Sequence, residues 1–200
     1  MAAKSDGHAN RQNGGMAKVI YSMGVSLDGF IAGPRGEIAV VPDEELHRFH
    51  NEQTRRVGLL VYGRRLYEVM SAWETYAEEN PSAPEHELEF ARIWKDTPKV
   101  VFSRTLESVE GNATLAGGDV AETVAELREQ VQGDIGIGGA ELAASFMRLD
   151  LIDEYQPVVH PVVAGGGTPF FPPLDERMEL KLVETRTFGS GAVYLRYSAR

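Results

Sequence analysis

Apolar and polar residues alternate along the chain with two different periods, and the pattern predicts strands that alternate with helices. Four short apolar runs are typical of strands covered on both faces, and they occupy residues 19–23, 58–62, 99–102 and 134–137. Four segments with helical spacing of apolar residues follow them, at residues 42–56, 64–69, 119–131 and 141–148. Because such strands pair side by side, we expect a mostly parallel sheet.

The C-terminal part of the chain carries a different pattern. An apolar run over residues 152–163 predicts a further strand, bent at Pro157 or Pro161. A hairpin is then predicted, with strands at residues 179–187 and 192–198 and a turn at Gly189-Ser190-Gly191. The predicted fold is therefore α/β: a three-layer, mostly parallel twisted sheet with helices on both faces and a C-terminal antiparallel hairpin.

Residues 1–15 are small and polar and show no hydrophobic periodicity, which predicts a disordered leader or tag. Residues 16–200 contain neither an internal repeat nor a linker-like stretch, so we expect them to form one domain.

Composition narrows the classes of function. The chain has 200 residues with 20 Lys and Arg against 30 Asp and Glu, and its formal net charge is −10. This charge argues against a nucleic-acid or anionic-membrane surface, although one basic pocket for a phosphorylated ligand remains compatible with it. The absence of cysteine excludes disulfides and thiol catalysis. With no apolar run of membrane-spanning length and no signal-peptide core, we expect a soluble cytoplasmic protein.

Three predicted strand ends carry groups that suit phosphate binding, and in parallel sheets ligands bind at that edge. They are Gly138-Gly139-Ala140-Glu141, Gly63-Arg64-Arg65 and Ser103-Arg104. Glycines before a helix let backbone amides approach a pyrophosphate, and a hydroxyl beside a guanidinium suits a phosphate monoester. Taken one at a time, these segments are equally compatible with tight turns and solvated arginines. Their occurrence at three strand ends favours a phosphate site.

Acidic and imidazole side chains supply the candidates for catalysis. Asp43, Glu44 and Glu45 open a predicted helix, where acids either stabilise the first turn or serve a substrate. Asp43, His47 and His50 share one face of that helix, yet no clear further ligand accompanies them, so we predict no metal. A metal hydrolase that uses His47 and His50 is the alternative, and it predicts bound metal and no response to NADPH. Asp28 stands in an Asp-Gly turn, a context typical of a turn-closing side chain.

Six motifs in order give the chain a family resemblance. They are Ser26-Leu27-Asp28-Gly29-Phe30-Ile31-Ala32-Gly33 and the segments at residues 63–68, 101–104, 138–142, 151–155 and 161–171. In them the chain resembles the dihydrofolate-reductase-like superfamily. It is most similar to relatives of the C-terminal reductase domain of the bifunctional riboflavin-biosynthesis deaminase/reductase.

The resemblance implies an NADPH-dependent reductase that transfers hydride to a small heterocyclic or sugar-like substrate of pyrimidine or pterin type, as 5-amino-6-(5-phosphoribosylamino)uracil reductases do. It implies a homodimer, and a substrate beside the helix that begins at Asp43. An acid on that helix assists protonation of the substrate in dihydrofolate reductases, which makes Asp43 and Glu45 catalytic candidates. Asp28, in the first motif, is the third candidate. The residues implied for the cofactor are Ile31 and Ala32 at the nicotinamide, Ser103 and Arg104 at the 2′-phosphate, and Gly63, Arg64, Arg65, Gly138, Gly139, Ala140 and Glu141 at the other phosphates.

The chain departs from the riboflavin-pathway reductases at three places where substrate is handled. Ser22 stands where they carry a lysine, Met70-Ser71-Ala72 replaces an Ala-Asp-x-Pro segment, and Ile137 stands where they carry an acid. These departures leave two hypotheses open. The chain is a reductase with a different substrate, or it is a non-catalytic nucleotide-binding domain that kept the phosphate cradle.

Overall fold

The computed structural model describes residues 16–37, 41–174 and 176–200. Its strands are β1 (Val19–Ser26), β2 (Phe30–Ala32), β3 (Val57–Gly63), β4 (Lys99–Phe102), β5 (Ala113–Ala116), β6 (Asp134–Gly138), β7 (Glu154–His160), β8 (Thr168–Pro169), β9 (Leu180–Thr187) and β10 (Val193–Ala199). Its helices are α1 (Glu44–Arg55), α2 (Arg64–Met70), α3 (Tyr76–Glu79), α4 (Glu85–Asp96), α5 (Val120–Gln130) and α6 (Ala140–Arg148), with a 3-10 helix at Ser71–Glu74.

Eight strands form one sheet in the order β5-β4-β3-β6-β1-β7-β10-β9. The first six of these strands in sheet order pair in parallel, and β10 pairs antiparallel with both β7 and β9. Strands β2 and β8 form a separate antiparallel pair. The predicted α/β fold, with its mostly parallel sheet and C-terminal hairpin, is confirmed.

The core lies on both faces of this sheet because the apolar strands bury alternate residues on opposite sides. On one face, Val61 and Ile135 pack with Phe146 of α6 and Val124 of α5. On the other face, Leu60 and Tyr62 of β3 pack against α2 and α4. Next to them, Leu46 and Phe49 of α1 pack against β7 and the hairpin. The molecule therefore has three layers, and α1 covers the central strands.

Several elements differ from the predicted ones. Strand β7 ends at His160 rather than Val163, and Pro157 lies inside it, paired with Met23 of β1. The ladder between β7 and β10 is interrupted opposite Pro157, which has no N–H to donate. Strand β5 carries no continuous apolar run, so the pattern of apolar residues at positions 113–116 does not predict a strand there. Within the described part of the chain, no helix is long and apolar enough to cross a membrane.

Candidate functional site

A cavity of about 710 Å³ lies at the carboxyl ends of β3, β4 and β6, and we call it the arginine cavity. It contains ten of the eleven residues that the resemblance implied for a cofactor. These are Ile31, Ala32, Gly63, Arg64, Arg65, Ser103, Arg104, Gly139, Ala140 and Glu141. Parallel strands end at one edge of the sheet, which is why segments far apart in sequence meet here.

The cations of the arginine cavity differ in how far they are already paired. Arg65 forms an ion pair with Glu141 across the cavity. Arg64 donates to Thr105 Oγ1 at 3.3 Å and lies 3.8 Å from Glu68. Among the residues that the structure describes, no carboxylate lies within 4 Å of Arg104. Arg104 is therefore the cation most available to an anionic ligand.

Backbone geometry at two further segments suits a phosphate. The Ser103 hydroxyl oxygen accepts hydrogen bonds from the amides of Thr105 and Leu106, at 3.2 and 3.0 Å, which leaves its proton free to donate. Gly139 precedes α6 with a φ of +96° and no capping side chain, so the first amides of α6 have no side-chain acceptor. A phosphate oxygen can fill that role.

A second cavity, of about 440 Å³, lies between α1 and the central strands, and we call it the helix cavity. Its floor is bare backbone at Gly136 and Gly138 of β6. A Cβ at Gly138 would lie 2.6 Å from Leu66 Cδ2, and one at Gly136 would lie 3.1 Å from a methyl carbon of Val57. Side chains from β3 and α2 thus pack directly against the β6 backbone, and only glycine accommodates them. Gly138, the eleventh residue implied for the cofactor, lines this cavity.

The wall of the helix cavity near the start of α1 is aromatic. The His47 ring lies 6.2 Å from Trp73 and 5.7 Å from Phe90, measured between ring centroids. Burial and the neighbouring His86 lower the pKa of His47, so the ring is mostly neutral at pH 7. His47 Nδ1 is buried and has no hydrogen-bond partner among the described residues.

His50 also lines the helix cavity, one turn further along α1. Burial, with smaller contributions from His47 and His160, lowers the pKa of His50 to about 4. The sequence offered both histidines only as metal ligands. Their helical spacing, with Gln53 and Thr54 on the same face, was the signal that they line one wall.

This low pKa predicts a pH dependence of stability. In the unfolded chain His50 binds a proton near pH 6.5, whereas the folded protein keeps the ring neutral down to about pH 4. The unfolded state therefore binds more protons, and the free energy of unfolding is expected to fall as pH drops from 7 to 5. His50→Gln should flatten this dependence, as urea unfolding at pH 7, 6 and 5 would measure. Parallel curves for the two proteins would contradict it.

Asp28 joins two loops and lines neither cavity. Its carboxylate accepts hydrogen bonds from Ser26 Oγ at 2.6 Å and from the amides of Ala164 and Gly165, at 2.9 and 2.8 Å. These bonds, that from Ser26 foremost, lower the pKa of Asp28 to about 2. The structure thus gives Asp28 a positioning role: it holds the turn before β2 against the loop before β8.

Asp28→Asn is expected to lower the urea midpoint at pH 7, because an amide has one acceptor oxygen where the carboxylate has two. The carboxylate bonds persist above the ordinary carboxyl pKa and are lost as pH falls through about 2. The difference between the two proteins should therefore vanish near pH 2. NADPH affinity, measured in parallel, is expected to fall only slightly. An unchanged midpoint at pH 7 would show that the two loops do not depend on this carboxylate.

The acids at the start of α1 line neither cavity. Asp43 caps α1 by accepting from the Leu46 amide at 2.9 Å, and Glu44 pairs with Arg48. Glu45 accepts from the Gly189 amide of the hairpin at 3.0 Å. Asp43 and Glu44 thus stabilise the start of α1, whereas Glu45 ties α1 to the hairpin. In the described ranges, no group of three or more His, Asp or Glu side chains is arranged to hold a metal ion.

Comparison with known proteins places this geometry in a family. The family model described as the RibD C-terminal domain matches residues 17–194. The Bacillus subtilis (strain 168) protein YyaP, itself uncharacterized, is 35% identical over 184 residues, which are 90% of this chain and 94% of YyaP.

Three solved structures share the fold, each over 92% of this chain. A candidate riboflavin biosynthesis protein from Shewanella sp. PV-4 has a TM-score of 0.73 at 22% identity, over 99% of that chain. The deaminase/5-amino-6-(5-phosphoribosylamino)uracil reductase of Thermotoga maritima has 0.63 at 17%, over 57% of that chain. Enterococcus faecalis dihydrofolate reductase, complexed with NADP(H), has 0.63 at 17%, over 96% of that chain. With a family model that matches residues 17–194 and a relative at 35% identity, the chain belongs to the RibD C-terminal domain family.

Proposed function

We propose that this protein is an NADPH-dependent reductase that transfers hydride to a small heterocyclic substrate. The observation that carries the proposal is the meeting of the two cavities. Met23 of β1 and Leu66 of α2 line both of them, so the two cavities adjoin at these side chains. The family, whose solved neighbours include reductases, supports an oxidoreductase.

The arginine cavity fits a dinucleotide phosphate chain. Arg104 and Ser103 would hold the 2′-phosphate, since a guanidinium and a hydroxyl together bind a phosphate monoester well. The first amides of α6 and Arg64 would hold the pyrophosphate, with Arg65 neutralising Glu141. Ile31 and Ala32, which line the same cavity, would cover the nicotinamide. When bound, NADPH supplies the hydride.

The helix cavity would hold the substrate. A flat ring would lie against the aromatic wall that includes Trp73 and Phe90. Because Asp43 and Glu45 line neither cavity, we place proton delivery at a water held beside the His47 ring, which lines the helix cavity. Exclusion of bulk water and fixed orientation are the protein's main contributions to the rate.

The test combines binding with turnover. Titration with NADPH, followed by quenching of tryptophan fluorescence, should saturate, and NADH should bind more weakly. NADPH oxidation is then screened with dihydropterins and aminopyrimidines as acceptors. Saturable NADPH-selective binding with oxidation by one acceptor supports the reductase. Binding without oxidation by any acceptor favours a non-catalytic nucleotide-binding domain, and absence of binding overturns both.

The expected homodimer is part of this proposal. Strand β9 is the edge of the sheet, and its Leu182 and Val183 are about half exposed, at 50% and 47%. Pairing of two copies along β9 would cover both side chains. Light scattering on the purified protein should give a molecular mass twice the chain mass of 22.0 kDa. Leu182→Lys should lower the measured mass toward that of the monomer.

A further inference from the structure

Asn51 is a buried polar side chain that lies between α1 and α4, with an exposed fraction of 0%. Its amide nitrogen donates to the carbonyl oxygen of His86 at 2.8 Å and to Glu89 Oε2 at 2.6 Å. Both partners are acceptors, so turning the amide over would set its oxygen against them. The orientation of the amide is therefore fixed. Its Oδ1 is buried and has no hydrogen-bond partner in the described part of the chain.

His47 stands one helical turn before Asn51 on α1, at the spacing that makes side chains neighbours. Side chains on a helix lean toward its N-terminus, so Asn51 leans toward the turn that carries His47. His47 Nδ1 is likewise buried and without a partner among the described residues. A neutral imidazole nitrogen can carry a proton and an amide oxygen can accept one. One hydrogen bond from Nδ1–H to Oδ1 would thus remove the cost of two unpaired buried groups.

The electrostatics of the His47 ring agree with this pairing. Burial, followed by the charge of His86, lowers the pKa of His47, and hydrogen bonding to the Asn51 side chain counteracts part of that lowering. An amide oxygen raises the pKa of an imidazole by accepting a hydrogen bond from a ring N–H. Because Nδ1 is enclosed, Nε2 at the tip of the ring is the nitrogen left for the helix cavity, which His47 lines.

We propose that Asn51 is a positioning residue that holds one proton on His47 Nδ1, so that Nε2 is the nitrogen that gains and loses a proton at the helix cavity. The inference rests on the proposed function, in which a water beside the His47 ring delivers the proton. In that step the imidazolium gives its Nε2 proton to the water, and the water gives one of its own protons to the substrate. The ring returns to its neutral form with the proton still on Nδ1, and solvent restores the proton on Nε2.

NMR of the protein with ¹⁵N-labelled histidine, without NADPH and at pH 8, where His47 is neutral, tests the assignment. In the wild type, Nδ1 of His47 is expected to show the shift of a protonated nitrogen and Nε2 that of an unprotonated one. Asn51→Leu keeps much of the buried volume but has no oxygen, so the proton should move to Nε2, where cavity water can accept it. Asn51→Asp keeps an acceptor oxygen and should retain the proton on Nδ1.

Two controls separate this role from a purely structural one. Signals of His50, one turn along α1, should be unchanged in Asn51→Leu, whereas a disturbed helix would move them. Glu52→Ala changes the next residue of α1, whose side chain is exposed, and should leave the His47 proton on Nδ1. Where Asn51→Leu does not fold, Asn51→Ala takes its place. A wild-type proton on Nε2, or a proton that stays on Nδ1 in the variant that lacks the oxygen, overturns the proposal.

Turnover distinguishes the positioning role from the proposed function. With an acceptor that oxidises NADPH in hand, Asn51→Leu should lower kcat by about tenfold or more and change KM by no more than about twofold. A proton on Nδ1 that depends on Asn51, in a protein that oxidises NADPH with no acceptor, would keep the positioning role and remove the reductase. Oxidation of NADPH by a wild-type protein with the proton on Nε2 would keep the reductase and remove the role of Asn51.

Discussion

Arg104→Ala is expected to weaken NADPH binding by about 10- to 100-fold, the range that follows from losing charge-assisted hydrogen bonds. Arg104 lines the arginine cavity and has no carboxylate within 4 Å among the described side chains, so its charge is available to a phosphate. NADH lacks the 2′-phosphate, and its affinity should change by no more than about twofold. Tryptophan quenching with both dinucleotides measures the two affinities side by side.

Two controls sharpen the Arg104 experiment. Arg104→Lys keeps the charge but loses the planar fork, so it should retain part of the preference for NADPH. Arg148→Ala removes a cation from the far end of α6, outside the cavity, and should leave both affinities unchanged. An equal loss of NADPH and NADH affinity in Arg104→Ala would move Arg104 to a phosphate that both dinucleotides share. No loss at all would take it out of the cofactor site.

Most of the fold follows from local signals in the sequence. Continuous apolar runs predict β3, β4 and β6 because these strands are buried on both faces, and Asp119 caps α5 as its residue type favours. Strand β5 was missed for the opposite reason. It lies at the edge of the sheet and exposes Thr114 and Leu115, so no period distinguishes it from a loop.

Phosphate-binding candidates were predictable because their geometry is local. Glycine before a helix and a hydroxyl beside an arginine are adjacent in sequence, and parallel topology brings such segments to one edge. The helix cavity depends instead on contacts between distant elements. Its floor requires glycine because Leu66 and Val57 pack on the β6 backbone, and its lining includes Arg56 and Arg196, which are 140 positions apart. No local spacing encodes those contacts.

The acids at the start of α1 show the limit of residue type as evidence. Asp43 and Glu45 have the chemistry of a proton donor, yet a helix start and a nearby hairpin offer their carboxylates backbone amides. The choice between these partners is set by how α1 sits on the sheet. Only the packed structure shows that His47 and His50, rather than the acids, face the helix cavity.

Gly167→Ala is expected to disrupt the loops that flank the proposed nicotinamide position. Gly167 has a φ of +118°, and an added Cβ would lie 2.1 Å from the carbonyl oxygen of Ala32 and 2.6 Å from the carbonyl carbon of Gly33. These are backbone atoms, so relief requires β2 to move away from β8. The strained φ and the clash together should cost about 3 kcal/mol or more in the free energy of unfolding. NADPH affinity should fall with it, because Ala32 lines the arginine cavity.

Gly165→Ala separates the strain from the clash. Gly165 lies in the same loop with a φ of +73°, and an added Cβ there meets nothing within 4 Å. In this variant the free energy of unfolding should fall only by the cost of a left-handed alanine, about 1–2 kcal/mol, and the NADPH affinity should be unchanged. Urea unfolding and NADPH titration of both variants give the comparison. If Gly165→Ala and Gly167→Ala unfold at the same urea concentration and bind NADPH equally, then the contact between Gly167 and Ala32 does not hold β2 in place. A loss of NADPH affinity confined to Gly167→Ala would tie that contact to the cofactor site.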